Sequence, residues 1–289
     1  MTRRSGARDL LGAHMSIAGG LHLAVERGGA MGCGVIQLFL KNQVRWRGKP
    51  LSAAEVREFK RAQKATGIRI AFAHATYLIN LASSVESEWR RSVEAFHDEL
   101  ERAEALGLPF VVIHPGSHMG WGLKAGLARV VRAADELCRR TPGYRVRICL
   151  ENTAGAGTTV GARFEELGLM LHRARFPERL GVCLDTCHLF AAGYDIRTRP
   201  GYLATMEECE RAIGTDRVLA FHLNDAKQGL GSGLDRHQHI GKGEIGLTAF
   251  RCLVNDPRFA KLPMALETPK GEDADIRNLA TLRRLKRRR

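Results

Sequence analysis

Eight short runs rich in Val, Ile, Leu and Phe recur along the chain, and between them the apolar residues switch to steps of three and four. The runs are LLGAHMS from Leu10, VIQLFL from Val35, RIAFAHA from Arg69, FVVIHPG from Phe110, RICLENT from Arg147, LGVCLDT from Leu180, VLAFHLNDA from Val218 and PMALET from Pro263. Near-continuous apolar character predicts parallel strands covered on both faces, because a strand with one wet face alternates. The intervening segments predict helices with legible ends. SAAEVREFKRAQKATG carries Ser52 and Glu55 at capping-box spacing and stops at Gly67. In the next segment Trp89, Val93, Phe96, Leu100 and Ala103 share one helical face, and Gly107 followed by Pro109 ends it.

Eight strands alternating with helices over 289 residues predict a single α/β domain, a (β/α)8 TIM barrel spanning residues 8–282, followed by a basic tail over 283–289. A doubly wound open sheet is the rival architecture, but it has no reason to stop at eight strands. In a barrel the C-terminal strand ends converge on one face, where active sites form. Those positions here are His14, His74, His114, Glu151, Asp185, His222 and Glu267. Only the second strand lacks a His or a carboxylate at its end. One histidine at a strand end is ordinarily a hydrogen-bonded structural residue; seven such positions in eight are not independent accidents. Converging carboxylates and imidazoles need a cation to balance them.

A set of His, Asp and Glu without Cys suits Zn²⁺ or Mn²⁺. Four or five ligands satisfy one ion, and the chain offers more. In DTCHLF, Asp185 and His188 stand three residues apart, a spacing compatible with a hydrogen-bonded pair, a helix start or two metal ligands. After the seventh strand, Asp235 and His237 alternate, so an extended backbone points both the same way. His239 either extends that row or lies outside it. With His188 they make a further three-ligand set, which argues for two metals rather than one.

Composition narrows the setting. Seven cysteines with no CxxC pair signal neither a disulfide framework nor a thiolate zinc site, which suits a reducing cytoplasm. Cys183, inside a strand-like run, is expected to be a small buried apolar residue. No apolar run reaches the roughly eighteen residues of a membrane span, and MTRRSGARDLLGAH lacks the apolar stretch of a signal peptide. Lys+Arg 45 against Asp+Glu 31 gives a net charge of +14, favouring a polyanionic partner whose phosphates the cations neutralise. The segment RRLKRRR from Arg283 holds six of those charges and is expected to be a solvated end.

Taken together, GAHMSIAGGL, HATYLINLAS from His74, HPGSH from His114, LENTAG from Leu150, DTCHLFAAGYD from Asp185, HLNDAK from His222, DRHQHIGKGEIG from Asp235 and LETP from Leu266 resemble the endonuclease IV family of apurinic/apyrimidinic endonucleases. The likeness runs from about Leu11 to Pro269. It implies a trinuclear zinc site, with manganese an option at one position. His74 and His114 would hold one ion, and Asp185, His222 and Glu267 a second, with Glu151 bridging the two and serving as the catalytic carboxylate. His188, Asp235 and His237 would hold the third. The implied substrate is duplex DNA containing an abasic site, cut 5′ to the lesion to leave a 3′-hydroxyl and a 5′-deoxyribose phosphate. A monomer is expected, since a barrel mouth that grips DNA needs no second subunit.

The resemblance also implies DNA contacts at Tyr77 and in the loop holding Asn42, Gln43, Val44 and Arg45. Here the chain departs from the family's pattern. KNQVRW puts Val44 where the family has an arginine and Arg45 one place later, so either Arg45 reaches in or Val44 wedges as an apolar side chain. Two rivals remain. Glu151, Asp185, His222 and Glu267 alone would equally serve a divalent-metal sugar isomerase or epimerase on the same barrel; the five further ligands and the positive charge discriminate. A DNA-binding protein that has lost catalysis would have no use for an intact ligand set.

Overall fold

The computed structural model describes residues 9–286. Strands β1 (Leu11–Met15), β2 (Val35–Phe39), β3 (Ile70–His74), β4 (Phe110–Ile113), β5 (Arg147–Glu151), β6 (Leu180–Asp185) and β7 (Val218–His222) form in the expected places. Two short strands, β8 (Asp225–Ala226) and β9 (His237–Gln238), pair antiparallel outside the barrel, and β10 (Met264–Leu266) completes it. The eight long-range partners close in the order β1-β10-β7-β6-β5-β4-β3-β2, every neighbouring pair parallel. This is the TIM barrel that the strand pattern predicts.

Strand periodicity carries the core upward into the site. Inside the barrel lies a separate layer that includes Phe72, Val112, Cys149, Cys183, Ala220 and Ala265. Each stands two residues before His74, His114, Glu151, Asp185, His222 or Glu267, so the period of two puts the polar residue on the same inner face, one layer higher. Register aligns the tops, with Asp185 beside His222 and Phe39 beside His74. Gly12 lets β1 and β2 approach so closely that a Cβ there would stand 1.8 Å from Val35 O.

The crossovers are the helices α1 (Leu21–Ala30), α2 (Ala53–Thr66), α3 (Glu86–Leu106), α4 (Leu123–Arg140), α5 (Phe164–Arg173), α6 (Thr186–Ala191), α7 (Arg199–Ala212), α8 (Leu247–Val254) and α9 (Ala274–Leu285). The capping box of α2 is present: Ser52 Oγ accepts from the Glu55 N–H, and the Glu55 carboxylate accepts from the Ser52 N–H. Such a cap stabilises by about 1 kcal/mol. The stripe Trp89, Val93, Phe96, Leu100 and Ala103 is buried along α3, which ends at Gly107 in the left-handed conformation. Truncating Phe96 to Ala would cost about 3–5 kcal/mol.

Helix α9 continues to Leu285 because Leu279 and Leu282 bury against the barrel, and Arg283 is anchored rather than free. It donates to Asp9 at 3.0 Å and to Gly32 O at 2.7 Å. Residues 1–8, including the expected start at Arg8, and 287–289 lie outside the described residues. Among the described residues no disulfide forms, and six of the seven cysteines are buried, Cys183 among them. No helix among the described residues is long and apolar enough to cross a membrane.

Candidate metal centre and substrate mouth

At the top of the barrel the nine expected ligands converge. Ligand atoms of His74, His114 and Glu151 lie within 4.8 Å of one another, as do those of Glu151, Asp185, His222 and Glu267. These two groups share Glu151, whose Oε2 stands 3.0 Å from both His74 Nε2 and His114 Nε2 while Oε1 stands 2.7 Å from His222 Nδ1. Asp235 joins His188 Nε2 at 3.2 Å and His237 Nε2 at 3.0 Å. The outlying set overlaps its neighbour more than the family's division implies, because Asp185 also groups with His188 and His237.

Asp185 and His188 combine two of the three roles open to them. Asp185 is the N-cap of α6, its Oδ1 accepting the backbone N–H of His188 at 3.0 Å. Its Oδ2 takes the Asn224 amide at 2.6 Å and faces the centre. The helix start carries the His188 ring one turn on, toward Asp235.

The imidazoles are oriented as metal ligands are. His74 Nδ1 donates to Ala75 O at 2.7 Å, His188 Nδ1 to Asn152 O at 2.9 Å, and His237 Nδ1 to Glu267 O at 3.0 Å. Each backbone carbonyl fixes the tautomer and leaves Nε2 facing the centre. The Nε2 atoms of His188 and His237 are buried and have no hydrogen-bond partner. Two buried lone pairs without donors, beside carboxylates, describe a place for a cation. His, Asp and Glu in this number suit zinc or manganese.

Electrostatics agree. Burial alone would push the His222 pKa down, but Glu267 and Glu151 overcome it and raise it to about 10. His237 rises to about 9 against burial, through Asp185 and Asp235. Burial favours a neutral Glu151, yet His222 and His114 hold it well below the usual carboxylate range. Without a metal, the cluster retains protons that a metal would displace.

Three neutral amides complete the scaffold and were not singled out in the sequence. Gln37 of β2 supplies what the second strand lacked: its Nε2 donates to Glu267 Oε1 at 2.5 Å and His14 Nδ1 at 2.8 Å, and its Oε1 accepts from His222 Nε2 at 2.6 Å. His14 is therefore a supporting residue outside the ligand groups. Asn152 Oδ1 accepts the Asp185 N–H, and Asn224 Oδ1 accepts the Glu267 N–H. Cys187, also not singled out, groups with Asp235 and His237, but burial pushes its thiol up to about 12. Asp225 orders the returning loop by accepting the N–H groups of Gly241, Gly243 and Ile245.

Above the cluster lies a cavity of about 410 Å³ lined by Gln43, Tyr77 and Lys270 together with His74, His114, His188, Asp235, His237 and Glu267. A second, of about 300 Å³, adjoins it past Tyr77, Asn80 and Ser117. Gly116, at φ 115°, passes so close to Asn80 that a Cβ would stand 2.0 Å from Oδ1. Tyr77 is 72% exposed at the rim, its ring 5.8 Å from Phe39. In the variant loop, Asn42 Oδ1 accepts the Val44 N–H and turns the chain, leaving Val44 77% exposed. Gln43 and Val44 line cavities at the mouth; Arg45 is exposed and lines none of them.

Residues 25–285 match the family described as xylose isomerase-like TIM barrel, which sets the class of the molecule. A protein called probable endonuclease 4 from Chloroflexus aurantiacus is 51% identical over 276 residues, 95% of this chain and 97% of its own. The crystal structure of endonuclease IV from Thermus thermophilus superposes with a TM-score of 0.85 at 40% identity, covering 95% of this chain and 98% of that one. A D-tagatose 3-epimerase-like protein shares the fold alone, with a TM-score of 0.72 at 18% identity over 95% of this chain and 96% of its own. The chain belongs to the endonuclease IV family.

Proposed function

We propose that this protein is a DNA repair endonuclease that hydrolyses the phosphodiester 5′ to an abasic site in duplex DNA, leaving a 3′-hydroxyl and a 5′-deoxyribose phosphate. The observation that carries the reading is the convergence of nine His, Asp and Glu side chains at one barrel mouth, in overlapping groups joined through Glu151, Asp185 and His237. His74, His114, Asp185, His188, His222, Asp235, His237 and Glu267 would hold three zinc ions with Glu151 bridging two. Bound there, they would supply Lewis-acid activation of a water and neutralise the charge developing on the phosphate and the leaving oxygen.

The chain's own groups do the rest. The mouth, about 410 Å³, admits a phosphodiester with its sugar. Lys270 lines it and is held by Asp275 at 2.8 Å, giving a fixed positive charge beside the phosphate path. Glu151, buried and ionised among histidines, orients the attacking water and holds the cluster together. Tyr77 and Val44 project from neighbouring loops as wedges that open the duplex at the lesion, where no base is present to resist. Both side chains are exposed, but Val44 lines a cavity at the mouth and Arg45 does not, which favours Val44 as the second wedge.

A sugar isomerase would need only Glu151, Asp185, His222 and Glu267; His74, His114, His188, Asp235 and His237 have no task in it. Glu151→Gln keeps the shape and removes the charge. It should cut incision of abasic duplex by orders of magnitude while circular dichroism stays that of the folded barrel. A variant incising at the wild-type rate would overturn the role of Glu151.

A further inference from the structure

His239 has no part in the cluster, and its surroundings supply another role. It leaves β9 two residues beyond His237 and turns toward Asn278, a buried residue of α9. Asn278 Oδ1 accepts the Ile240 N–H at 3.0 Å, so its amide nitrogen must be the donor to Thr268 Oγ1 at 2.9 Å and to His239 Nδ1 at 3.1 Å. With Nδ1 accepting, the neutral His239 ring carries its proton on Nε2.

A cavity of about 360 Å³ opens between this histidine and α9. Its charged walls are Lys242, Arg277 and Arg284; no carboxylate lines it. Among the described residues none of these three cations makes an ion pair. Arg284 donates to Thr281 Oγ1 at 2.9 Å, and that hydroxyl donates to Arg277 O. Asn278 has spent both its donors and its acceptor within the protein. What lines the cavity beside Asn278 is three cations, His239, Thr281 and small or apolar residues, with no carboxylate among them. Such a concave, cation-lined surface is complementary to a tetrahedral oxyanion.

Its position favours one source of that anion. Thr268, tied to Asn278, directly follows Glu267, and His239 stands about 6–7 Å of extended chain beyond His237. A strand whose scissile phosphate lay over the cluster would have its flanking phosphates at separations of the same order. We propose that the cavity seats a phosphate group of the DNA strand running past the metal centre; the proposal rests on the reading of the chain as a DNA-incising enzyme.

The test is binding of a fluorescently labelled, lesion-free duplex to the full-length protein as purified, across about 50–200 mM salt. Lysine 242 and arginine 277 are replaced together, Lys242→Ala with Arg277→Ala. The control, Arg139→Ala with Arg145→Ala, removes the same charge from exposed positions near the N-terminal end of β5. The seat predicts several-fold weaker binding at low salt for the first pair, and a log–log salt dependence shallower by about one relative to the control. Equal affinity and slope for the two pairs would overturn it. Inorganic phosphate is titrated in parallel while the His239 ring proton is followed by NMR. A shift there, with duplex binding of the first pair equal to the control, would make this a small-anion site and overturn the DNA assignment. Incision of an abasic duplex by the same wild-type preparation is scored separately. Loss of the salt slope in a protein that does not incise would keep the seat and sink the endonuclease reading.

Discussion

At the scale of single residues, the site is a set of His, Asp and Glu side chains, able to hold metal, that neutral amides position. The candidate ligands other than His188, which stands one helical turn past a strand end, were legible because each ends a strand or alternates in an extended loop, positions whose direction the backbone period dictates. Gln37, Asn152 and Asn224 were not, because an amide in a sequence carries no signal until space brings it to its partners. Gln37 joins His222, His14 and Glu267, and so ties three strands together. Gln37→Met fills the same space without hydrogen bonds, leaving His222 Nε2 unpaired. Metal affinity, measured by competition with a chromogenic chelator, should drop by about 10–100-fold. An unchanged affinity would mean that the amide only fills space.

At the scale of elements, strands and helices followed from periodicity, whereas the β8–β9 pair did not. Two residues per strand is below any repeat, and its position depends on Asp225 gathering distant backbone N–H groups. The attachment of the variant loop was equally hidden. Lys41 Nζ donates to Ala95 O at 3.1 Å and Asp98 at 2.8 Å, Arg102 donates to Lys49 O at 2.6 Å, and Arg91 stacks 4.1 Å over the Trp46 ring. One face of α3 thus clamps both ends of the loop that carries Val44. The cost falls on Glu99, which is fully buried: Lys41 Nζ lies 3.3 Å from its Oε1 but aims its donors elsewhere. Burial, only partly offset by Lys41, raises its pKa from 4.5 to about 7. An acid whose folded pKa is raised contributes stability below its unfolded pKa and loses it as pH climbs through the folded value. Glu99→Gln, which stays neutral, should therefore gain on the wild type by on the order of 1–3 kcal/mol between about pH 5 and pH 8, read as diverging melting temperatures. A constant difference across that range would contradict the assignment.

At the scale of the whole molecule, a +14 chain folds into one barrel whose candidate ligands and substrate mouth stand at the C-terminal ends of the strands. The fold was legible because eight apolar runs can close only a few ways. A run of arginines from Arg283 reads as solvated in the sequence, while in the structure α9, with Leu279 and Leu282 buried, continues to Leu285. Arg45 could not be ranked against Val44 from the sequence, because only the folded loop shows which of the two lines the mouth. The central claim is metal-dependent hydrolysis at an abasic site. The direct measurement is cleavage of a labelled duplex holding one tetrahydrofuran abasic analogue, which cannot undergo β-elimination, with metal content determined by mass spectrometry on the same sample. The account predicts a cut 5′ to the analogue, about three zinc ions bound, activity lost on prolonged chelation and restored by zinc. An intact duplex in the presence of a full metal complement would contradict it.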